Sequence, residues 1–291
     1  MQPTPSAEHP IRPEPNETEL SMRLTMLGTG NALVTDCYNT CFVLQDDTRD
    51  TNNLLLVDGG GGNGLLSQLK RASIDWRDIH EVFVTHKHID HLLGIVWLTR
   101  MFCQHMASGA YEGEATIYAH DEVIGLIDRM AHDLLPTKHA KLIGDRLHLV
   151  TVTDGETRQL IGHETTFFDI RSTKAKQFGF CMELGDGRRL TCCGDEPYNE
   201  CERPYAEGSA WLLHEAFCLH GQADVFHPYE KHHSTVKDAC ELAEELGVEN
   251  LVLYHTEDRN LARRKELYSE EGRRYYHGNL FVPDDLESFE L

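Results

Sequence analysis

The stretch Thr85-His86-Lys87-His88-Ile89-Asp90-His91 constrains this chain more than any other, because three imidazoles and a carboxylate crowd into six residues directly behind the strand-like run Glu81-Val82-Phe83-Val84. Without a cation, such groups collect like charge on protonation and leave buried polar atoms without partners. Imidazole nitrogen and carboxylate oxygen suit Zn²⁺, Mn²⁺ or Fe²⁺. A tight turn after a strand can aim His86 and His88 at one ion and Asp90 and His91 at a second. The apolar run Leu92 to Leu98 then predicts a buried helix.

Chemistry-bearing residues stand at other strand ends too. Leu54 to Val57 predicts a strand that delivers Asp58 into the run Gly59 to Gly62, and Arg189 to Cys193 one that ends in Gly194-Asp195. Trp211 to Ala216 carries His214 and Glu215, and Leu251 to Tyr254 leads straight to His255. His232-His233-Ser234-Thr235 opens a helix over Val236 to Leu246, which Ser234 or Thr235 can cap.

His-x-His-x-Asp-His behind a short apolar strand resembles the signature of the metallo-β-lactamase-fold hydrolases, and the later pieces follow in that family's order. The nearest resemblance is to the ribonuclease Z-like branch, over roughly residues 22 to 282. It implies an α/β protein built as an αββα sandwich, two mixed sheets packed face to face and flanked by helices. It implies one or two divalent ions, zinc first and manganese or iron as alternatives, held by His86, His88, Asp90, His91, Asp195 and His255, with Asp195 touching both. Asp90 would orient or deprotonate the nucleophile, and His233, steadied by Glu215, would protonate the leaving group. Asp58 would orient the metal-binding loop. His214 belongs to Leu213-His214-Glu215-Ala216, which resembles a His-Glu-Ala-Thr segment with Phe217 in place of the threonine.

The pattern departs in one place. The family usually sets a further histidine six to eight residues before an aromatic-Gly-aromatic step, here Phe178-Gly179-Phe180, and this chain has Arg171, Ser172 and Thr173 there. Guanidinium stays protonated and cannot ligate a cation. The ion of His86 and His88 is therefore expected to be one ligand short, unless a distant histidine such as His163 completes it. Arg171 is expected either in a structural salt bridge or as a fixed charge for substrate phosphate or carboxylate. Strand alternation would put residues 171 and 173 on one face.

Composition narrows the substrate. With 27 basic and 48 acidic residues the formal charge is −21, which repels phosphate-rich polymers. The cluster Arg259, Arg263, Arg264, Lys265, Arg273, Arg274 is read first as a solvated helix face paired with Glu266, Glu270 and Glu271. No long Gly/Pro-rich RNA-binding arm lies between the expected strand 165–170 and Asp195. A small phosphodiester, a cyclic nucleotide or another small ester is the expected substrate. Thioester, lactone or β-lactam hydrolysis on the same ions is the alternative, and a non-catalytic metal- or ligand-binding protein the alternative of another class.

Residues 1–20, with five prolines and few large apolar side chains, predict a disordered or strap-like tail before one hydrolase domain over 21–291. Nine cysteines without paired spacing, no signal peptide and no apolar run near eighteen residues predict a cytoplasmic protein with reduced thiols and no membrane span. Cys181, Cys192 and Cys193 are expected in the core rather than on a metal. The composition leaves room for a homodimer. Leu147 to Val152 and Thr165 to Ile170 are expected as strands of a second sheet, and Asn260 to Tyr268 as the last helix.

Overall fold

The computed structural model describes residues 22–47 and 54–291; the expected tail, residues 1–20, and most of the expected turn after Asp46 lie outside the described residues. Strands β1 (Met22–Gly28), β2 (Cys41–Asp46), β3 (Leu54–Val57), β4 (Ile79–Val84), β5 (Ala115–Ala119), β6 (Leu147–Thr151) and β14 (Ser288–Glu290) form one sheet, in the order β14-β1-β2-β3-β4-β5-β6. Strands β7 (Thr157–Leu160), β8 (His163–Asp169), β9 (Phe178–Gly185), β10 (Arg188–Cys192), β11 (Trp211–Glu215), β12 (Asn250–Tyr254) and β13 (Asn279–Phe281) form the other, in the order β13-β12-β11-β10-β9-β8-β7.

Side-chain alternation explains how the sheets stack. Leu24, Phe42, Leu55 and Phe83 of the first sheet meet Phe167, Phe180, Leu213 and Val252 of the second in one buried cluster. The opposite face of the first sheet, with Val43, Leu56 and Val82, packs against helices Gly64–Arg71, Ile89–Ser108 and Asp121–Leu134. The outer face of the second, with Leu212 and Leu251, packs against helices Val236–Glu245 and Arg264–Gly272. The αββα sandwich expected from the sequence is the fold found.

Some local expectations are corrected. β6 lies in the first sheet, parallel to β5 from Ala115↔Leu147 to Ala119↔Thr151, not in the second. The last helix begins at Arg264, after a 3₁₀ turn Leu261–Arg263. β7 and β14 were not expected: β7 has one buried residue, Leu160, and β14 is a three-residue edge strand held to β1 by the Leu24↔Phe289 pairing and the Arg23–Glu290 ion pair at 3.0 Å.

This topology positions the chemistry. β3 and β4 run parallel, as do β10, β11 and β12, so their C-terminal ends open on one edge of the sandwich. Asp58, Thr85, Asp195 and His255 follow within three residues of those ends. The helix Ile89–Ser108 is clamped to the loop after β3, Gly59 donating to His91 O at 2.8 Å and Gly94 to Gly60 O at 3.0 Å. A Cβ on Gly94 would stand 1.8 Å from the Gly59 carbonyl oxygen. Gly94→Ala must push helix and loop apart and is expected to cost about 1–3 kcal/mol or more, at roughly 2–4 °C of melting temperature per kcal/mol for a chain of this size. A thermal melt within 1 °C of wild type would contradict the clamp.

Candidate metal centre

The local sequence dictates how the motif folds. β4 ends at Val84, Thr85 and His86 continue extended, and His88 is the N-cap of the helix Ile89–Ser108. Asp90 and His91 therefore occupy the first helical turn, where a carboxylate is favoured by the unpaired amides. Two groups of donor atoms result: Asp90, His91, Asp195 and His255, all buried, and His86, His88 and Asp195.

Distances between the donors match a coordination shell. Asp195 Oδ2 lies 3.6 Å from His86 Nε2, 3.1 Å from His91 Nε2 and 3.4 Å from His255 Nε2, so a single oxygen faces both groups. His91 Nε2 lies 3.4 Å from Asp90 Oδ2. Ligand atoms roughly 2.0–2.2 Å from one ion stand about 3.3–3.6 Å apart at the corners of a tetrahedron. Asp90 Oδ2 and His91 Nε2 are buried yet make no aligned hydrogen bond. His86 Nε2 and His88 Nδ1 stand 2.8 Å apart, too close for two bare lone pairs, so a proton or a cation must lie between them. The residues fit one or two divalent ions.

Hydrogen bonds behind the donors fix which ring nitrogen is bare. Asp58 accepts Thr85 N on Oδ1, and both the Thr85 hydroxyl and His91 Nδ1 on Oδ2, all within 2.8 Å. With its proton given to Asp58, the Thr85 oxygen accepts from His86 Nδ1 at 2.9 Å. Thr40 gives its proton to Gly30 O and accepts from His255 Nδ1 at 3.2 Å. His86, His91 and His255 thus each present Nε2 to the centre, the arrangement that orients a ligand imidazole and raises its basicity. Gln177 donates to Asp195 Oδ1 at 2.7 Å and leaves Oδ2 to face both groups.

The electrostatics agree. Burial would raise Asp195, but His86, His255 and His91 hold its carboxyl well below the usual range. Asp90 is likewise held down against burial, chiefly by His91. A carboxylate so hard to protonate suits a ligand that orients the nucleophile better than one that takes its proton. Burial pushes Glu215 well above the usual carboxylate range and His233 down to about 3, the latter with help from His255. Glu215 therefore holds its proton to higher pH than a free carboxyl does, and His233 is neutral at neutral pH.

The remaining expected residues fall in different places. His233 lines the pocket over the centre, its Nδ1 3.7 Å from Glu215 Oε2, and both atoms lack an aligned partner. Thr235 caps the following helix in a capping box with Asp238. His214, expected behind the ligands or at the substrate, turns to the opposite face of β11 from Glu215, donates only to the Glu215 carbonyl at 2.7 Å and does not line the pocket. Arg171 is exposed and paired with Asp154 at 2.8 Å, the first of its two expected roles, and it does not line the pocket. His163 bonds Glu183 O and Asp46 far along β8 and joins neither donor group. The face-sharing expected for residues 171 and 173 does not apply, because β8 ends at Asp169 and Arg171 sits at φ +60°. Cys181, Cys192 and Cys193 are buried, free and outside both groups. The basic cluster is largely neutralised, by Arg263–Glu266, Lys265–Glu287 and Arg274–Glu270, with Arg264 buried against Thr256 and Pro283 O.

Other residues at the centre were not anticipated. Phe217 stacks on the His233 ring at 4.8 Å and 8°, the physical use of an aromatic where the resembled segment has threonine. Gln177, Thr40, Lys174 and Lys231 also surround the site. Gln177 had a signal, its place beside the Phe178-Gly179-Phe180 step, whereas Lys174 lies on an irregular segment and Lys231 at the end of a single 3₁₀ turn, Tyr229–Lys231.

Comparison with known proteins agrees with this geometry. Residues 22–272 match the family model described as anti-Pycsar protein Apyc1. The ribonuclease Z of Synechococcus sp. (strain CC9605) is 24% identical over 319 residues, covering 91% of this chain and 91% of that protein. The metallo-β-lactamase fold protein YhfI from Bacillus subtilis superposes with a TM-score of 0.74 at 17% identity, over 93% of this chain and all of that one. A diphosphatase of the PhnP family superposes at 0.65 with 19% identity, over 94% of this chain and 98% of its own. The fold is that of the metallo-β-lactamases, and in sequence the chain is similar to ribonucleases Z.

Proposed function

We propose that this chain, which belongs to the anti-Pycsar Apyc1 family, hydrolyses a small phosphodiester, a compound of cyclic-nucleotide size, through one hydrolase domain over residues 21–291. The observation that carries the reading is the single Asp195 oxygen facing both donor groups on the floor of a pocket of about 710 Å³ whose wall includes Lys87, Lys174 and Lys231. The volume suits a small molecule. The charge of −21 argues against a nucleic-acid polymer as the usual substrate. No helix among the described residues is long and apolar enough to cross a membrane, and a cytoplasmic site of action is part of the proposal.

Divalent ions held by His86, His88, Asp90, His91, Asp195 and His255, zinc by the donor chemistry, would supply an activated water and polarise a phosphoryl oxygen. Asp90 orients the attacking oxygen. His233 gives its Nε2 proton to the departing oxygen while its Nδ1 takes the proton of Glu215, which ends as carboxylate. Closing the 3.7 Å gap between Nδ1 and Glu215 Oε2 satisfies two buried atoms at once.

This relay predicts a leaving-group dependence. His233→Ala should slow alkyl phosphodiesters by roughly 10²–10⁴-fold and bis(p-nitrophenyl) phosphate far less, because p-nitrophenolate departs without a proton. Because burial shifts Glu215 up, its proton is held to higher pH than in a free carboxyl and is lost as pH rises through the shifted value. The alkaline limb of the rate should therefore flatten in Glu215→Gln. Equal losses for both leaving groups in His233→Ala would remove the relay. The reading as a whole is tested with metal-loaded protein on bis(p-nitrophenyl) phosphate, nitrocefin and an acyl-thioester. Turnover confined to nitrocefin or the thioester would replace it.

A further inference from the structure

Of the three lysines on the pocket wall, Lys87 is paired with Glu122 at 2.7 Å. Neither of the other two makes an ion pair among the described residues, although the Lys174 ammonium lies near enough to act on the Glu196 carboxyl. Lys174, on the irregular segment after β8, donates from Nζ to the carbonyl of Lys231, which ties that segment to the turn before His233. The Lys231 ammonium stands 5.0 Å over the Phe217 ring, and Phe217 stacks in turn on His233. Both side chains are exposed to the pocket rather than spent in ion pairs.

Their surroundings sharpen the point. Lys174 follows Thr173, where the His86, His88, Asp195 group is one donor shorter than its neighbour. Lys174 and Lys231 line the same pocket as the donor residues Asp90, Asp195 and His255. The one carboxylate on this wall outside the donor groups, Glu196, is engaged by Ser172 Oγ at 2.8 Å and makes no ion pair with either lysine. Two fixed cations beside a metal centre, on a chain of charge −21, oppose the overall field where a substrate must enter.

We propose that Lys174 and Lys231 form an anion-binding wall that holds the non-bridging oxygens of a phosphoryl group and selects phosphoryl substrates over neutral esters. The inference rests on the phosphodiester reading and assigns that reading's specificity to two residues. Lys174 supplies positive charge on the wall of the pocket that the donor residues Asp90, Asp195 and His255 also line. Lys231 holds its charge against Phe217 through a cation–π contact and positions it next to His233.

The test uses the full metal-loaded chain with Lys174→Met, Lys231→Met and the rescue variant Lys174→Arg. Each Met variant should raise KM for bis(p-nitrophenyl) phosphate more than it lowers kcat, and reduce the ratio of phosphodiester to p-nitrophenyl acetate kcat/KM by about tenfold or more. The dissociation constant of inorganic phosphate, measured by calorimetry, should rise by a similar factor, and Lys174→Arg should recover most of both. If the two substrates lose activity in equal proportion, or phosphate binds the Met variants as tightly as wild type, the lysines only clamp the loops and the inference is wrong. Phosphate binding separates the two claims. A wild type that binds phosphate through these lysines but turns over only neutral esters would sink the phosphodiester reading alone.

Discussion

Asp195→Ala should lower hydrolysis on the order of 10³-fold or more, beyond the 10–100-fold typical of losing a partner behind a ligand, and should drop bound metal below one ion per chain. The reason is geometric. Asp195 Oδ2 stands within 3.6 Å of three imidazole nitrogens drawn from both donor groups, so one truncation removes a donor from each. Asp90→Ala removes a donor from the four-membered group only, so it should cost less rate than Asp195→Ala and leave some metal bound. Gln177 loses its acceptor in Asp195→Ala, and a buried amide left unpaired costs about 1–3 kcal/mol, so melting must be measured beside metal content. A folded Asp195→Ala protein with wild-type metal content and more than a tenth of the rate would show that no ion is shared there.

Much of this centre was legible in the sequence for a physical reason. His86, His88, Asp90 and His91 are consecutive along a strand-to-helix turn, and Asp58, Asp195 and His255 each follow an apolar run at a strand's C-terminal end. Parallel strands carry such ends to one edge without help from distant contacts. What stayed hidden depends on partners far away in sequence. Thr40 is an ordinary polar residue until Gly30 takes its proton and His255 approaches. β6 reads as a strand, but its sheet is decided by pairing with β5 rather than by its own residues. β7 and β14 bury too little to announce themselves. Lys174 occupies an irregular segment and Lys231 a single 3₁₀ turn, both too short to show periodicity, and only their convergence on one pocket distinguishes them from surface lysines.

His214 shows the limit of carrying a family pattern over by position, whereas Arg171, where the pattern departs, takes the structural ion pair expected first for it. A strand places adjacent residues on opposite faces, so the Glu215 side chain that approaches His233 sends His214 outward. Arg171 sits just past the end of β8 in a left-handed conformation, which turns its guanidinium to Asp154 on the surface. Both outcomes follow from backbone geometry that a motif match does not contain.

The two ions should part company under chelation. The Asp90, His91, Asp195, His255 group offers four buried donors, whereas the His86, His88, Asp195 group offers three, one of them the half-buried His88. A missing strong ligand weakens binding by at least the 10–100-fold seen when only a supporting partner is lost. Titration with a chelator should therefore remove the His86 ion first, as a separate step, and leave one firmly held ion per chain. Restoring an imidazole tests the cause. Arg171→His should change nothing, because position 171 faces Asp154. Thr173→His is the informative change: Thr173 Oγ1 lies 3.5 Å from His232 Nδ1, and its neighbours Ser172 and Lys174 reach Glu196 and the Lys231 carbonyl, so this segment borders the centre. In that variant the two steps should merge and metal content should rise toward two per chain. Equal loss of both ions from the wild type would mean that a donor outside these groups completes the first, and His232, whose Nδ1 lies 3.5 Å from Thr173 Oγ1, is then the residue to replace.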